Sequence, residues 1–314
     1  MARENGLDER HLRYPHRGPG YDHDLYAASA LPTRAPVAWP GGAPLALWVT
    51  VSCERFPLTP NADGPRAPFH MVTPYPDYRT YTTRDYGNRV GVYRVLRALR
   101  EAGVPATFFC SSSLAEHAPP LIPDILGDGH EVAALGVDMN HVHHEGLSED
   151  EERDRIARCL DQLSGVGAAP SGWLSPGRFQ SSATPRLLAE VGLAWLADWG
   201  NDDMPYEMRP GITAMPFTDE LSDAKCLVTL GQREETWAGQ VLAARDYLAR
   251  EAATRGGRVL HLALTPYVIG QPWRIGTLRA LLAELVGEGA WLATGSRIEA
   301  AWRQPSAKAD KGTG

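Results

Sequence analysis

One stretch limits the folds open to this chain more than any other. Leu45-Ala-Leu-Trp-Val-Thr-Val-Ser-Cys-Glu54 is an apolar, β-branched run that stops abruptly at Ser52, Cys53 and Glu54. A run of this kind is a strand buried on both faces, and such strands belong to parallel sheets covered by helices. In parallel α/β proteins the chemistry gathers at the C-terminal ends of the strands, and Glu54 stands at such an end. A carboxylate leaving a hydrophobic strand is costly unless it is paired, bound to a metal or kept for proton transfer. Glu54 is therefore the first catalytic candidate. The competing reading is a Glu that passes into a solvated loop, where most Glu residues sit.

Downstream the pattern recurs. Residues 55–83 carry Pro57, Pro60, Pro65, Pro68, Pro74 and Pro76 among many aromatics, which predicts a long ordered loop without secondary structure, lying over the barrel mouth. Val90–Arg100 predicts an amphipathic helix stopped by Gly103, and Val104–Cys110 a second strand. A helix over Ala115–Leu126 precedes a third strand, Gly129–Leu135, whose polar exit holds Asp138, Asn140, His141, His143 and His144. Ser148-Glu-Asp-Glu151 fits a capping box opening a helix to Ser164. Short strands follow at Pro170–Arg178, at Leu193–Trp199, which ends in Asn201-Asp-Asp203, and at Ile212–Phe217, with Asp219-Glu-Leu-Ser-Asp223 as its acidic exit. Helices over Thr184–Val191, Thr236–Arg255 and Gly276–Val286 alternate with strands at Arg258–Leu264 and Ala290–Thr294. This alternation predicts an α/β fold with a parallel sheet and right-handed crossovers. Residues 41–303 form one barrel domain, preceded by an arm over residues 1–40 laid on its surface and followed by a disordered tail at 304–314.

Composition narrows the function. At 314 residues, 43% hydrophobic and 22% charged, the chain can bury one large core. A net charge of -7 without any long Lys or Arg run argues against nucleic acid and anionic membrane as partners. No apolar stretch approaches the roughly 18 residues of a spanning helix, and the Met-Ala-Arg-Glu-Asn start lacks a signal-peptide core, so a cytoplasmic location is expected. Cys53, Cys110, Cys159 and Cys226 lie far apart without a Cys-x-x-Cys pair, which suits reduced thiols. There is no Gly-x-Ser-x-Gly elbow and no phosphate-cradling glycine loop after a strand.

Several landmarks now stand in order: Arg84-Asp-Tyr-Gly-Asn-Arg-Val-Gly91, Gly129-His-Glu-Val132, Gly146-Leu-Ser-Glu-Asp-Glu-Glu-Arg153, Gly172-Trp-Leu-Ser-Pro-Gly177, Asp198-Trp-Gly-Asn-Asp-Asp-Met-Pro-Tyr206 and Pro266-Tyr-Val-Ile-Gly-Gln-Pro272. Together they resemble the polysaccharide deacetylase (NodB-homology) superfamily, and within it the allantoinase-like branch linked to urate catabolism. The resemblance covers nearly the whole chain after the arm. It implies a distorted seven- or eight-stranded (β/α) barrel, a small-molecule substrate and a homo-oligomer. Metal-dependent members resemble one another in an Asp pair after the first strand, a His-x-x-x-His pair after the third and a late catalytic His. Here Ser52 and Glu54 take the first place, Leu135 and the neighbourhood of Met139 and Asn140 the second, and Thr265 the third. Leu135 has no donor atom and Thr265 no imidazole, so neither a metal nor another cofactor is expected.

The site expectations follow. Glu54 is the proton carrier and His141 or His143 a second acid/base, with Asp202 or Asp203 as an ionised companion. Asp198 and Trp199 resemble the family's pair that supports the catalytic base and walls the pocket. Tyr86, Arg89, Trp173, Arg178, Glu220 and Thr265 complete a substrate-binding set, with Arg89 and Arg178 anchoring an anionic group. A displaced metal site on His141, His143, Asp138 and Glu54 is the rival arrangement. His261 reads as a core histidine and Cys53 as a buried thiol rather than a nucleophile. The function implied is metal-independent hydrolysis of an amide, ureide or N-acyl C–N bond in a small polar molecule. A metal-free cyclisation, rearrangement or elimination, and a pseudoenzyme that only binds, remain the alternatives.

Overall fold

Every second residue of the first strand points into the barrel, and that alternation organises the rest. The computed structural model describes residues 23–304, apart from 62, 63, 74, 210 and 288. The first seven elements are β1 (Leu45–Cys53), α1 (Tyr78–Tyr86), α2 (Val92–Ala102), β2 (Ala106–Cys110), α3 (Leu114–His117), α4 (Leu121–Gly127) and β3 (Glu131–Ala134). They are followed by α5 (Glu149–Ser164), β4 (Gly172–Trp173), α6 (Thr184–Glu190), β5 (Trp195–Leu196), β6 (Tyr206–Met208) and β7 (Ile212–Ala214). The last six are α7 (Glu234–Arg255), β8 (Arg258–Leu264), α8 (Pro266–Ile269), α9 (Ile275–Val286), β9 (Trp291–Leu292) and α10 (Gly295–Arg303). One sheet holds the strands in the order β6-β7-β5-β4-β3-β2-β1-β8, with β9 pairing the lower part of β1. All pairings are parallel except β6 against β7. Eight parallel strands therefore build the distorted barrel, and β6 adds a hairpin arm that the sequence did not announce.

Two cores follow from the period of two. Leu47, Val49 and Val51 pack outward against the helices with Leu99, Phe108 and Leu262. Ala46 and Trp48 point inward with Phe109, Trp195, Met215 and Phe217. Trp48, Phe109 and Trp195 meet edge to face, with centroids 5.9–6.4 Å apart, and plug the lower barrel. The indole N–H of Trp48 donates to Thr107 Oγ1 at 3.0 Å, which satisfies the one polar atom the ring carries inside.

Between β7 and β8 the ladder is incomplete, and the chain after β5 fills the seam. Val259 N–H donates to the Asp203 carbonyl at 3.3 Å. Thr218 N–H donates to His261 Nδ1 at 2.8 Å, so His261 carries its proton on Nε2 and donates to Thr50 Oγ1 at 2.9 Å. Burial, and then the nearby Arg178, push its pKa down to about 3; His261 is a neutral core histidine bridging the seam. The described part of the arm lies along the same edge. Trp39 is buried, its indole donating to the Arg258 carbonyl at 2.9 Å, and Gly257 N–H donates to Val37 O at 2.7 Å. Residues 1–22 of the expected arm and 305–314 of the expected tail lie outside the described residues. Among the described residues, no helix is long and apolar enough to cross a membrane.

Some local expectations are corrected. The loop after β1 ends earlier than residue 83, because Asp77 Oδ1 accepts from Thr80 N–H at 3.1 Å and caps α1, a helix with no buried side chain to betray it. The helix expected over 115–126 is two, α3 and α4, interrupted at Pro119 and Pro120. A π-helical turn, Ala224–Thr229, stands where the sequence showed only an acidic exit. The capping box at Ser148 and Glu151 is present in both directions.

One close approach ties the outer helices to the barrel mouth. A π-helical turn, Gly87–Gly91, joins α1 to α2 and lies against α8; a Cβ added at Gly91 would stand 2.1 Å from the Pro266 carbonyl oxygen. Backbone cannot yield as a flexible side chain does. Gly91→Ala is expected to lower stability by about 1–3 kcal/mol, the usual cost of overpacking, measured by denaturant unfolding. An unchanged midpoint would contradict the approach.

Candidate active site

Continuing β1 upward, the inward positions turn polar: Thr50, then Ser52, then Glu54. Ser52 and Glu54 open into a cavity of about 280 Å³ at the strands' C-terminal ends. Leu135 from the exit of β3, Leu174 and Ser175 from β4, Phe217 and Asp219 beyond β7, and Ala263 and Thr265 from β8 complete the wall. The long loop contributes Pro68 and Phe69 from above, the α8 turn contributes Tyr267, and the π-turn after Asp223 contributes Lys225.

Glu54 is half-buried and its Oε2 accepts a hydrogen bond from the Tyr267 hydroxyl at 3.2 Å. Burial pushes its carboxyl up to about 7, while the Tyr267 bond and the Arg84 guanidinium hold the rise back; Asp223 and Asp219 add to it. Tyr267 is itself pushed well above its ordinary range, by burial and by the neighbouring Glu54. It stays a donor. Arg84 stacks over the Tyr267 ring at 4.4 Å and donates to the Phe69 carbonyl at 3.2 Å, so one guanidinium joins the loop to the site.

Asp223 is fully buried, accepting from Thr265 N–H at 2.9 Å and Ala224 N–H at 2.7 Å. Burial raises its pKa to about 7 against those donors. It fixes the exit of β8 to the π-turn. Arg178 sits at φ 59°, a left-handed conformation costly for a residue with a Cβ, directly after Gly177 at φ 64°. Its guanidinium pairs with Asp219 at 2.9 Å and lies over the Phe217 ring at 5.5 Å, which fixes the direction it faces.

Of the expected residues, Glu54, Arg178 and Thr265 share this cavity. Asp198 lies one layer behind: its carboxylate accepts from Ser175 N–H at 2.7 Å, Ser175 Oγ at 2.8 Å and Gln180 Nε2 at 3.0 Å, and burial raises its pKa. It orients Ser175, which lines the cavity. Trp173 is fully buried on the outer face and also donates to Ser175 Oγ, at 2.9 Å. Trp199 donates to Gln180 and packs against Tyr26 of the arm rather than walling the cavity.

The remaining candidates lie outside this cavity, most of them held by a partner side chain. His143 is completely buried, bonded through Nδ1 to Glu152 at 2.8 Å, and Glu152 also accepts from Ser181 and Thr184. His141 is held by Asp138 at 2.6 Å, and Asp138 pairs with Arg55 at 3.3 Å. Asp202 pairs with Arg34 of the arm at 2.6 Å, on another cavity; Asp203 lies in the seam. Tyr86 accepts from Arg94 on the helix flank. Arg89 is largely exposed, pairs with Asp85 at 3.7 Å and, outside this cavity, shares with Glu54 the wall of a second hollow of about 290 Å³. Glu220 is exposed at a shallow hollow beyond Asp219. The sequence reading missed Tyr267, Asp223, Ser175 and Lys225 as site residues, although Tyr267 stood in a quoted landmark and Asp223 in the acidic exit.

The metal that the sequence resemblance raises does not suit these donors. Leu135 presents an apolar wall where a ligand would stand, Thr265 takes the place of the late imidazole, and His141 and His143 are tied to Asp138 and Glu152 outside the cavity. Among the described residues no three His, Cys, Asp or Glu side chains are grouped to hold a metal ion. The donor set does not fit one.

Comparison with known proteins agrees with the architecture. The family model for polysaccharide deacetylase matches residues 74–195. A Schizosaccharomyces pombe protein assigned to the polysaccharide deacetylases is 26% identical over 241 residues, covering 69% of this chain and 74% of that one. The crystal structure of a Mycobacterium smegmatis protein with the same assignment has a TM-score of 0.72 at 28% identity, over 89% of this chain and 95% of that one. Puue allantoinase has a TM-score of 0.74 at 23% identity, over 84% and 92%, a likeness of fold.

The buried carboxyls give stability a pH dependence. In the unfolded chain Glu54 and Asp223 lose their protons near 4.5 and 3.8, whereas the fold holds both to about 7. Stability is present below the unfolded values and lost as pH rises toward 7; for Glu54 alone the loss is roughly 3 kcal/mol. Urea unfolding at pH 5 and pH 8 is expected to show a smaller loss in Glu54→Gln than in the wild type. Equal losses in the two would contradict a raised Glu54.

Proposed function

We propose that this chain, a barrel of the polysaccharide deacetylase superfamily, hydrolyses an amide, ureide or N-acyl C–N bond in a small polar molecule, with Glu54 rather than a metal-bound water as its proton carrier. One observation carries the reading: a half-buried carboxyl whose burial raises its pKa to about 7, held by a phenol that stays protonated, in the wall of a cavity that opens at the strand ends. A general base is most effective when its pKa lies near the working pH.

The chemistry runs on residues already in place. Ionised Glu54 takes a proton from a water as the water oxygen bonds to the acyl carbon and the carbonyl electron pair moves onto oxygen. Arg178 lines the same cavity and supplies positive charge for the oxyanion. When the C–N bond breaks, the carboxyl of Glu54 returns its proton to the departing nitrogen. The products are a carboxylic or carbamic acid and an amine. Asp198 acts through Ser175 and Asp223 through the β8 exit; both are positioning residues. The cavity volume suits a small molecule better than several units of a polymer.

Glu54→Gln is expected to lower kcat by about 10²–10⁴-fold, the usual worth of a general acid–base, with little change in KM, on a panel of N-acyl amines, ureides and lactams. In the wild type, kcat/KM is expected to rise with pH and level off above about 7. Tyr267→Phe removes a bond that favours the ionised form, so its inflection is expected at higher pH. A panel without turnover, or a Glu54→Gln variant as active as the wild type, would overturn the reading.

A further inference from the structure

The cavity's charges are unevenly matched. Arg178 has its carboxylate, Asp219, at 2.9 Å. Lys225 lines the same cavity half-buried, and among the described residues no carboxylate lies within ion-pairing distance of its ammonium. Its backbone is fixed by a bond from Lys225 N–H to Ser222 Oγ at 3.1 Å, so the side chain leaves the π-turn in a set direction. Leu135, Leu174 and Phe217 give the same cavity an apolar part of its wall. A partly desolvated ammonium beside an apolar wall is costly unless something brings it an anion.

Resting on the hydrolytic reading above, we propose that the substrate is an N-acyl or ureido acid whose carboxylate pairs with Lys225, whose apolar body lies on Leu135, Leu174 and Phe217, and whose C–N bond lies toward Glu54. Leu135 then has a role of its own: it supplies apolar contact where a metal ligand would be polar. A neutral sugar amide leaves the ammonium unmatched and gains little from that wall.

The test is calorimetric titration of the full chain with two acids, N-acetyl-L-leucine and N-carbamoyl-L-leucine, and with the uncharged amide of each. The wild type and Glu54→Gln are both expected to bind the acids roughly tenfold or more tightly than the amides, the usual scale for a charge-assisted bond. Lys225→Met is expected to abolish the difference and Lys225→Arg to retain it, which separates loss of the charge from loss of the fold. Amides binding as well as acids, discrimination surviving in Lys225→Met, or no binding of either acid would each overturn the proposal. The two readings fail separately: acid preference without turnover in any variant sinks hydrolysis and keeps the anion site, while turnover without acid preference does the reverse.

Discussion

The period of two along β1 is the constraint on which the rest depends. Four successive inward positions, Trp48, Thr50, Ser52 and Glu54, pass from floor to mouth: a ring that seals the barrel, a hydroxyl that meets His261, a hydroxyl in the cavity and a carboxyl that titrates near neutrality. A slip of one residue would turn all four outward and bring Val49, Val51 and Cys53 in. The neighbours pin the register, because β1 pairs with β8 over seven residues and with β2 over five. The chemistry of Glu54 is thus a consequence of packing several residues below it.

Burial does the tuning at the mouth. A carboxyl at the end of a strand in open water would ionise in the ordinary range; here the α8 turn and the Phe69 loop close over it and Arg84 ties the two together. The close contact of Gly91 with Pro266 sets where α8 lies, so helices far from the cavity decide how wet Glu54 is. The incomplete seam adds a second control. His261 and the chain after β5 replace a missing ladder there, and Arg178, whose charge contributes to keeping His261 neutral, faces the cavity on the other side.

The fold was largely legible because its signals are local. Apolar runs, Gly103 as a stop and the Ser148 capping box each depend on a few adjacent residues, and the structure has them all. Within the site, Glu54, Arg178 and Thr265 were readable as polar residues at or shortly after strand exits. The histidines misled for a physical reason: His143 is bonded to Glu152, nine residues on in the first turn of α5, and a buried histidine held by a carboxylate looks like a reactive one in sequence. Asp202 belongs to Arg34, 168 residues earlier. Lys225 gave no signal, because the π-turn that delivers it has no characteristic spacing and its meaning lies in a counter-ion that it lacks.

The central claim is that Glu54 holds its proton to near neutral pH inside a barrel mouth whose donors do not suit a metal. Difference infrared titration of the carboxyl bands, wild type against Glu54→Gln, reads that ionisation directly. A band lost in the variant that titrates at about 7 is the result this account predicts. A Glu54 band that titrates near 4.5, the ordinary value for a solvated Glu, would contradict it.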